Sequence, residues 1–505
     1  MVPADRFFPL TDRLADSERE TGLQAVLRDG MASQAMASLT GSAILVAFAL
    51  ELGASNALIG VLAAIPHLSQ LVQLPAVGLV RRIRNRRLIS VTASAIGRSA
   101  WLLVAAAPFV LSAGGVLTML VTGLLIASVL AAVSNCGWNS WMHDLVPKDQ
   151  LGSFFGKRFS LATTTGVVAS LSAGLFLDHL SGQVFSNHLY AYSVVFFVSF
   201  VFGLVGVLFI SRIPEPRYEP ADASVLQDIL KPLQDRNFKN LIHFLASWNI
   251  ALYLATPFFS VYMLDRLGMD LTWVIGLIVL GRLLNVLFLR IWGSFADRIS
   301  HKSVLAVSAP LCLLCILGWT FTTMPDPHFL TFPLLVALHV LMGIAMAGIT
   351  LAIGNIGLKL APTGEATSYL ATTNFASALA AGLAPLFSGR LVDFFVTREL
   401  AWTIDYSGPG GISTIELLNF REWDFLFFIS FIIGLYAVHR LSLVTEAGEV
   451  GEKTVVVELF AALGRELRDF STVSAIRNIA NLVPARSDRP ANVGPDAPAP
   501  AEKTG

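Results

Sequence analysis

Residues 272–302 read TWVIGLIVLGRLLNVLFLRIWGSFADRISHK, and this stretch decides the fold. Its first part is almost entirely apolar and reaches about 20 residues, the length that an α-helix needs to cross a hydrocarbon layer of about 30 Å. Two cations, Arg282 and Arg290, interrupt the apolar run, and a polar segment with Asp297 and Arg298 follows it. The stretch therefore predicts a membrane-spanning helix that ends in a charged turn.

The composition of the whole chain also indicates a membrane protein. Of its 505 residues, 54% are apolar and 14% are charged, whereas roughly 25% are charged in an ordinary soluble domain. The 35 Lys and Arg residues balance the 35 Asp and Glu residues, so no basic excess indicates a nucleic-acid partner. Three cysteines in a chain of this length exclude a disulfide scaffold.

Similar apolar stretches recur along the chain and predict twelve membrane-spanning helices, which we number spans 1 to 12. The short loops after spans 2, 4, 6 and 8 contain most of the loop Lys and Arg residues, and by the positive-inside rule they are cytoplasmic together with both termini. The predicted limits of the spans are 29–50, 56–80, 88–112, 116–140, 159–180, 190–212, 240–264, 272–295, 303–323, 331–357, 369–395 and 423–443.

The order of these spans divides the chain into two six-helix halves. We predict a cytoplasmic segment 1–28, a first half 29–212, a cytoplasmic middle loop 213–239, a second half 240–443 and a cytoplasmic tail 444–505. Within the tail, apolar residues at three- and four-residue spacing predict an amphipathic helix over 455–483, before a disordered end. The longest outer loop, 397–422, is a candidate cap over the exit.

The two halves share glycines, prolines and acidic residues at one constant offset. Such residues mark turns and helix ends, where backbone geometry restricts the residue type. Pairs with the same offset of 215 (293 − 78) are Gly78 and Gly293, Pro147 and Pro362, Gly174 and Gly389, and Asp178 and Asp393. The fold class predicted is therefore an all-α membrane protein with twelve transmembrane helices in two six-helix parallel repeats.

The run Gly293-Ser-Phe-Ala-Asp297-Arg298-Ile-Ser-His-Lys302 resembles the G-x-x-x-D-R-x-G-R-R signature of the major facilitator superfamily. The stretches LGASNALIGVLAAIPHLSQLVQLP and DLVPKDQLGSFFGKR resemble a branch of that superfamily labelled only as transporters. The resemblance implies a secondary transporter whose halves rock around a central site.

The signature also implies a cytoplasmic gate, and the two halves carry it unequally. The first half keeps Gly78 and the paired bases, but Arg82 stands where the signature has Asp, and Asn85 replaces the second Gly. Asp297 is therefore the expected centre of the gate. The full predicted set for this gate is Gly293, Asp297, Arg298, Gly78, Arg82 and Arg86. Span 5 lacks the antiporter pattern and span 4 lacks the Arg associated with proton relay, which disfavours a drug/proton antiporter.

Arg282 is the central candidate for substrate binding. It precedes Gly293 by three helical turns, about 16 Å along the axis, and His67 lies equally far before Gly78. Asn285 and Gln70 follow these two residues by three positions, so each half places a basic and an amide group on one helix face. We expect Arg282 to bind an electronegative or anionic group of the substrate.

Two alternatives remain open for these residues. Arg282 could be neutralised by helix carbonyls or a buried carboxylate, although the sequence places no carboxylate at comparable depth. His67 could be a packed core histidine, or it could couple transport to protons, since its intrinsic pKa lies near neutral. Uniport and exchange are equally compatible with the sequence.

Other polar and aromatic residues predict the walls and the outer gate. Buried amides also join helices without binding a ligand. The predicted cavity set is Gln34, Asn249, Trp248, Asn135, Asn139, Trp138, Asn355 and Asn374. Arg98 in span 3 is expected to make a structural contact. Asp178 and Asp393 lie at outer C-terminal helix ends, where the helix dipole disfavours an anion, so they need donors and are expected in the outer gate.

The sequence thus predicts a monomeric transporter of the cytoplasmic (inner) membrane that moves a small polar, anionic solute by alternating access. Protons are a candidate coupling ion, and lipids surround the protein. Efflux of amphiphilic drugs, handling of lipid- or pigment-like compounds, and a non-transport membrane assembly protein remain alternatives. No nucleophile pattern, metal cluster or phosphate loop predicts an enzyme, a metal site or a cofactor.

Overall fold

The computed structural model describes residues 15–147, 150–216, 231–298, 300–323, 326–362, 366–408 and 411–446, with residues 448 and 457. At a few of these positions, including Asp297 and residues 412–418, it describes the backbone alone. The chain divides into the units Met1–Glu452 and Lys453–Gly505. Apart from Val457, the predicted tail helix 455–483 lies outside the described residues.

Twelve helices of the described chain are long and apolar enough to cross a membrane, which confirms the predicted fold class. Span 1 begins at Asp16 rather than at residue 29, because hydropathy locates an apolar run and does not locate the polar first turns of its helix. The spans are Asp16–Glu51, Asn56–Ile83, Arg86–Val110, Ala113–Leu145, Leu151–Val184, Leu189–Ile210, Arg236–Arg266, Leu271–Ala296, His301–Thr322, Thr331–Leu360, Ser368–Phe395 and Trp423–Ser442.

Several spans are interrupted near the middle of the bundle or at its edge. Span 1 consists of Asp16–Leu39 and Ser42–Glu51, and the Thr40 hydroxyl donates to the Met36 carbonyl at the break. Span 2 contains a 3₁₀ turn over Gln70–Val72. Spans 5 and 7 contain single π-helical turns near their ends, at Phe176–Leu180 and Tyr262–Arg266. Interruptions of this kind place polar groups and free backbone groups beside a cavity.

The two halves pack their helices in the same pattern. In the first half, span 1 packs against spans 5 and 6, span 4 against spans 2 and 3, and span 3 against span 6. In the second half, span 7 packs against spans 11 and 12, span 10 against spans 8 and 9, and span 9 against span 12. Each of these contacts in one half thus has its counterpart in the other, as expected of parallel repeats.

The halves meet mainly at one end of the bundle. We call the end that contains the start of span 1 and the end of span 12 the terminal face, and the opposite end the distal face. Span 2 packs against span 11, span 5 against span 8, and the distal part of span 1 against spans 7 and 8. Within the described residues, the terminal part of span 2, Gln73–Ile83, makes no comparably extensive contact with the second half. The bundle is therefore closed at the distal face and wider at the terminal face.

A β-hairpin in the predicted loop 397–422 is a regular element that the sequence did not predict. Strand β1, Glu399–Gly408, pairs antiparallel with β2, Gly411–Arg421, and the register shifts between Trp402 and Thr403. The hairpin joins spans 11 and 12 on the distal face. Its large apolar residues Leu400, Trp402, Ile404 and Tyr406 alternate with the smaller or polar residues Ala401, Thr403 and Asp405. This is the two-residue period of a strand, which a search for membrane helices does not detect.

Candidate functional site

In the described part of the chain, three cavities lie between the halves and within them, near the middle of the bundle. Cavity A, about 160 Å³, lies between spans 1, 5 and 8 and is lined by Gln34, Ser38, Ser170 and Arg282 among others. Cavity B, about 270 Å³, lies between spans 7, 8 and 10. Cavity C, about 350 Å³, lies between spans 1, 2, 4 and 7. Arg282 lines both A and B, and Thr256 lines both B and C, so the three cavities surround one central region.

Arg282 is an exposed cation in this central region. The residue is accessible, and its side chain borders two of the cavities. Within the described part of the chain, no ion pair or hydrogen bond involves its guanidinium. This position in span 8, Leu271–Ala296, is close to the middle of the span. A charge at that depth needs water, a ligand or a partner, and here it faces open space.

The other three predicted central residues divide between the cavities. Asn285, one turn beyond Arg282, lines cavity B. His67 is half-buried in cavity C and packs edge-on against Tyr253, with ring centroids 4.3 Å apart. Gln70 lies in the 3₁₀ turn of span 2, where its Nε2 donates to the Pro66 carbonyl over 3.4 Å. Gln70 does not line cavity A, B or C.

The structure distributes the wider predicted set unevenly. Gln34 lines cavity A and donates to Ser38 over 3.4 Å. Asn249 and Asn355 each donate to the carbonyl four residues earlier in their own helix, at 2.7 and 2.9 Å. Trp248 is fully buried and stacks on Phe244. The amide groups of Asn249 and Asn355 therefore find their acceptors within their own helices, and Trp248 is buried between helices. Asn135, Asn139 and Asn374 are exposed, and they do not line cavities A to C.

Several lining residues were missed in the sequence, and two of them lie where cavity C meets the central region. Tyr253 and Thr256 of span 7 join cavity C to the central region, yet neither was predicted. Tyr253 follows Asn249 by one helical turn, so the helical period that selected Asn249 could have found it. Its phenol supplies an aromatic wall with a polar tip, a combination common in binding sites.

A buried charge cluster lies within the first half and apart from the cavities. The Arg98 guanidinium donates to the Gly203 carbonyl and to Ser33, both over 2.8 Å, and its Nη2 lies 3.6 Å from Asp29. Arg158 lies 3.8 Å from the same carboxylate and its guanidinium stacks over Trp138 at 4.7 Å. The cluster connects spans 1, 3, 5 and 6. Arg98 thus makes a structural contact, and Trp138 serves as a platform for Arg158.

Asp178 and Asp393 connect the halves at the distal face through the same geometry. Asp393, at the end of span 11, accepts from the backbone N–H groups of Asn56 and Ala57, at 3.2 and 2.9 Å. Asp178 accepts from the N–H groups of Leu271 and Thr272, at 3.3 and 2.6 Å. Each carboxylate therefore caps the first turn of span 2 or span 8, where free N–H groups and the positive end of the dipole favour an anion.

Glycines make this approach of the helices possible. A Cβ added at Gly174 would lie 3.2 Å from the Thr272 Cα, and one at Gly389 would lie 2.8 Å from the Ala57 Cα. These glycines precede the two capping carboxylates by about one helical turn. The constant offset in the sequence thus corresponds to a pair of equivalent contacts at the distal face.

Among the described residues of the predicted gate at the terminal face, neither glycine packs closely against another element. A Cβ at Gly78 or Gly293 would meet nothing within 4 Å, and Arg82 and Arg298 are exposed. The side chain of Asp297 lies outside the described residues. Arg86 is instead fully buried inside the first half, where its Nε lies 3.1 Å from Glu215 and its Nη1 donates to Ser140 over 3.0 Å.

Two of the described glutamates are buried at the terminal face, and neither was predicted. Glu215 accepts from the N–H groups of Arg86 and Arg87, at 2.8 and 2.9 Å, and so caps span 3. In the second half, Glu446 accepts from the N–H groups of His301 and Lys302, at 3.2 and 2.7 Å, and caps span 9. The sequence signal for Glu215 is an acidic residue between two prolines, Pro214 and Pro216, directly after span 6.

The surroundings of Glu446 keep it ionised. Burial raises the pKa of the Glu446 carboxyl, but hydrogen bonds from His301, from the Lys302 N–H and from Lys359 outweigh burial and lower the pKa to about 2. The Lys359 Nζ lies 3.0 Å from the carboxylate. This cap therefore persists as an anion throughout the physiological range.

The distal contact between His188 and Glu51 predicts a pH dependence. Burial alone would lower the pKa of the His188 imidazole, but bonds to the Leu177 carbonyl and to Glu51 raise it above its ordinary value. The stabilising effect of the protonated His188 is therefore complete below about pH 6.5, and it is lost as the pH rises through the raised pKa. Between about pH 6 and pH 9 we expect the wild type to lose about 1 °C more in Tm than His188→Gln. Equal losses in thermal melts of both proteins would contradict it.

Comparison with known proteins identifies the family of this chain. The sequence model of the Major Facilitator Superfamily matches residues 30–385. The chain belongs to this superfamily and is a multi-pass membrane protein and secondary transporter. A search of curated protein sequences found no match.

Solved transporters share the fold. A mutant of the nucleoside transporter NupG superposes with a TM-score of 0.64 at 12% identity, over 84% of this chain and 100% of its own. A D-xylose-proton symporter gives a TM-score of 0.61 at 15% identity, covering 86% and 99%. A bacterial homolog of the human lysosomal transporter Spinster, inward-facing and occupied, gives 0.55 at 17% identity, covering 90% and 99%. Because all three identities are low, these similarities show the fold alone.

Proposed function

We propose that this transporter moves a small polar solute that bears a negative charge, and that Arg282 binds the charged group. The observation that carries the proposal is an exposed guanidinium in the middle of span 8, at the border of cavities A and B. In the described chain no carboxylate pairs with it. Arg98 offers the contrast, because its ion pair with Asp29 compensates its charge inside the first half.

The sign of the substrate charge follows from electrostatics. A guanidinium in a cavity with low-dielectric walls attracts anions and repels cations, and its planar donors match a carboxylate or a similar group. Gln34 and Asn285 lie on the two sides of Arg282, in cavities A and B, and would donate further hydrogen bonds. We propose this group of three as the polar centre of the site, with His67 in the adjoining cavity C.

The distal caps give the proposed transport cycle its closed side. Asp178 and Asp393 would hold the distal face shut while the terminal face admits the solute, and the caps would break when the halves rock. The Gly293 to Arg298 segment and its counterpart around Gly78 would then close the terminal face. We propose that the terminal face is cytoplasmic, from its excess of Lys and Arg, in a cytoplasmic (inner) membrane, and that the protein acts as a monomer.

Protons remain the proposed coupling ion, and His67 the group that would bind them. Because its side chain lines cavity C beside Tyr253, it is accessible from the central region. The imidazole titrates near neutral pH in its ordinary state. Uniport and exchange would need no such group, and a pH-independent rate of uptake would favour them.

Replacing Arg282 tests the proposed function. We expect Arg282→Gln to lower the uptake of organic anions into proteoliposomes at least about tenfold, because the anion loses its charged partner. Arg282→Lys keeps the charge but loses the planar donor pair, and an intermediate rate is expected. The matched control is Arg290→Gln, an exposed arginine two turns further along span 8. Uptake that Arg282→Gln leaves unchanged for every anion tested would contradict the proposal.

A further inference from the structure

We infer that the solute is an amphiphilic organic monoanion, with one charged group at Arg282 and an apolar body in cavities B and C. This inference rests on the proposed function, because it uses Arg282 as the anion site. It goes further by naming the chemical class of the solute, and it replaces the polar body of the proposed solute with an apolar one. The charges that line the cavities, and the character and size of the walls, support it.

The number of charges limits the anion to a single negative group. Among the described residues that line cavities A, B and C, Arg282 is the only Asp, Glu, Lys or Arg. A phosphate or a dicarboxylate would bring a second negative charge into the middle of the bundle, where the other groups that can become cationic, His67 in cavity C and His339 in cavity B, carry no permanent charge. Burial of that uncompensated charge is costly, so the site favours a monoanion.

The walls of cavity C are suited to an apolar body. Its lining includes Leu45, Val46, Ile59, Leu62 and Leu124, and its polar groups are confined to Thr40, His67, Tyr253 and Thr256. Cavities as small as about 150 Å³ with apolar walls accept a benzene ring, and cavity C has about 350 Å³. A small hydrophilic anion such as acetate would leave most of this apolar surface unused.

The walls of cavity B are also largely apolar, and their side chains can adapt to ligands of different shapes. Three methionines line it, Met263, Met342 and Met346, together with Phe259. Unbranched thioether side chains change shape readily and contact aromatic rings favourably, so this wall accepts apolar groups of different shapes. Arg282 and Asn285 lie in the same cavity, and Thr256 joins it to cavity C. A single ligand could therefore contact Arg282 with its anionic group and extend its apolar body along cavities B and C.

Binding to the purified full-length protein in lipid nanodiscs tests the inference with four probes. They are 4-phenylbutyrate, its neutral analogue 4-phenylbutanamide, acetate and inorganic phosphate, with empty nanodiscs to subtract partitioning into lipid. We expect 4-phenylbutyrate to bind at least about tenfold more tightly than each of the others. Arg282→Gln should abolish the preference for the acid over the amide. Ala63→Phe, which fills part of cavity C, should abolish the preference for 4-phenylbutyrate over acetate, and Arg290→Gln should change neither.

The outcomes separate this inference from the proposed function. If acetate or phosphate binds as tightly as 4-phenylbutyrate and requires Arg282, the amphiphilic class is overturned and an anion transporter remains. If the amide binds as tightly as the acid in both wild type and Arg282→Gln, both proposals fail. If none of the four probes binds, the amphiphilic class is overturned, and the uptake experiment decides whether any anion is carried.

Discussion

Glu215→Ala is expected to lower the free energy of unfolding by about 3–5 kcal/mol, the cost of removing the buried carboxylate from a buried ion pair. The Arg86 side chain is 0% exposed and the Glu215 side chain 1%, so water cannot replace the lost carboxylate. The same change removes the acceptor of two backbone N–H groups at the start of span 3. Each of these groups adds to the cost, because a buried unpaired donor is unfavourable. Titration of the purified protein with a denaturing detergent measures the difference.

Asp144→Ala is the matched control for this prediction. Asp144 pairs with the same guanidinium, but its side chain is 41% exposed, and water can take its place. Its loss should therefore cost about 1 kcal/mol or less. Comparable losses of stability in the two variants would show that burial of Glu215 does not determine its contribution. Because the pair lies within one half, we expect the Glu215 variant to lower the yield of folded protein. The apparent KM of the protein that does fold should change little.

The twelve spans could be predicted because the bilayer imposes their length and their apolar character. The repeat could also be read, since glycines and helix-end residues recur at an offset of 215. The partners of these residues could not be read from the chain. The offset pairs Asp178 with Asp393, but only the packing of span 5 on span 8 and span 11 on span 2 shows which N–H groups they cap.

The buried glutamates show why a fixed offset misses some contacts. The capped residues Arg86 and His301 share the offset of 215 (301 − 86). Glu215 and Glu446, which cap them, have the larger offset of 231 (446 − 215). The extra length arises in the segment that includes the hairpin Glu399–Arg421 between spans 11 and 12. An insertion that leaves the helix packing intact thus removes the second glutamate from a constant-offset search.

The depth of Asp29 in the bundle was also misread from sequence. The predicted start of span 1 at residue 29 places this carboxylate at the membrane edge, far from Arg98 in the middle of span 3. The helix in fact begins at Asp16, so Asp29 lies more than three turns inside it, about 20 Å along its axis. It is buried there against Arg98. Arg282 has no such partner in the described chain, and this difference distinguishes a structural arginine from a candidate binding residue.

Removing both distal caps is expected to open the distal face. In Asp178→Ala/Asp393→Ala, four backbone N–H groups at the starts of spans 2 and 8 lose charged acceptors that come from the other half. The pair should contribute about 2–4 kcal/mol to the closed arrangement, which corresponds to a population shift of about 30- to 1000-fold. Each single variant should shift the population by roughly the square root of that factor, because the caps lie on opposite sides of the bundle and act independently.

Spin labels measure this shift directly. Gln183, at the distal end of span 5, and Phe329, before span 10, are exposed and lie away from both carboxylates, so cysteines there can carry the labels. Cys136 would be replaced by Ser, whereas Cys312 and Cys315 are buried. Pulsed electron resonance should show one short distance in the parent protein and a longer, dominant distance in the double variant. Asp265→Ala removes an exposed distal carboxylate outside the caps and should leave the distance unchanged. An unaltered distance in the double variant would mean that the glycine contacts alone close the distal face.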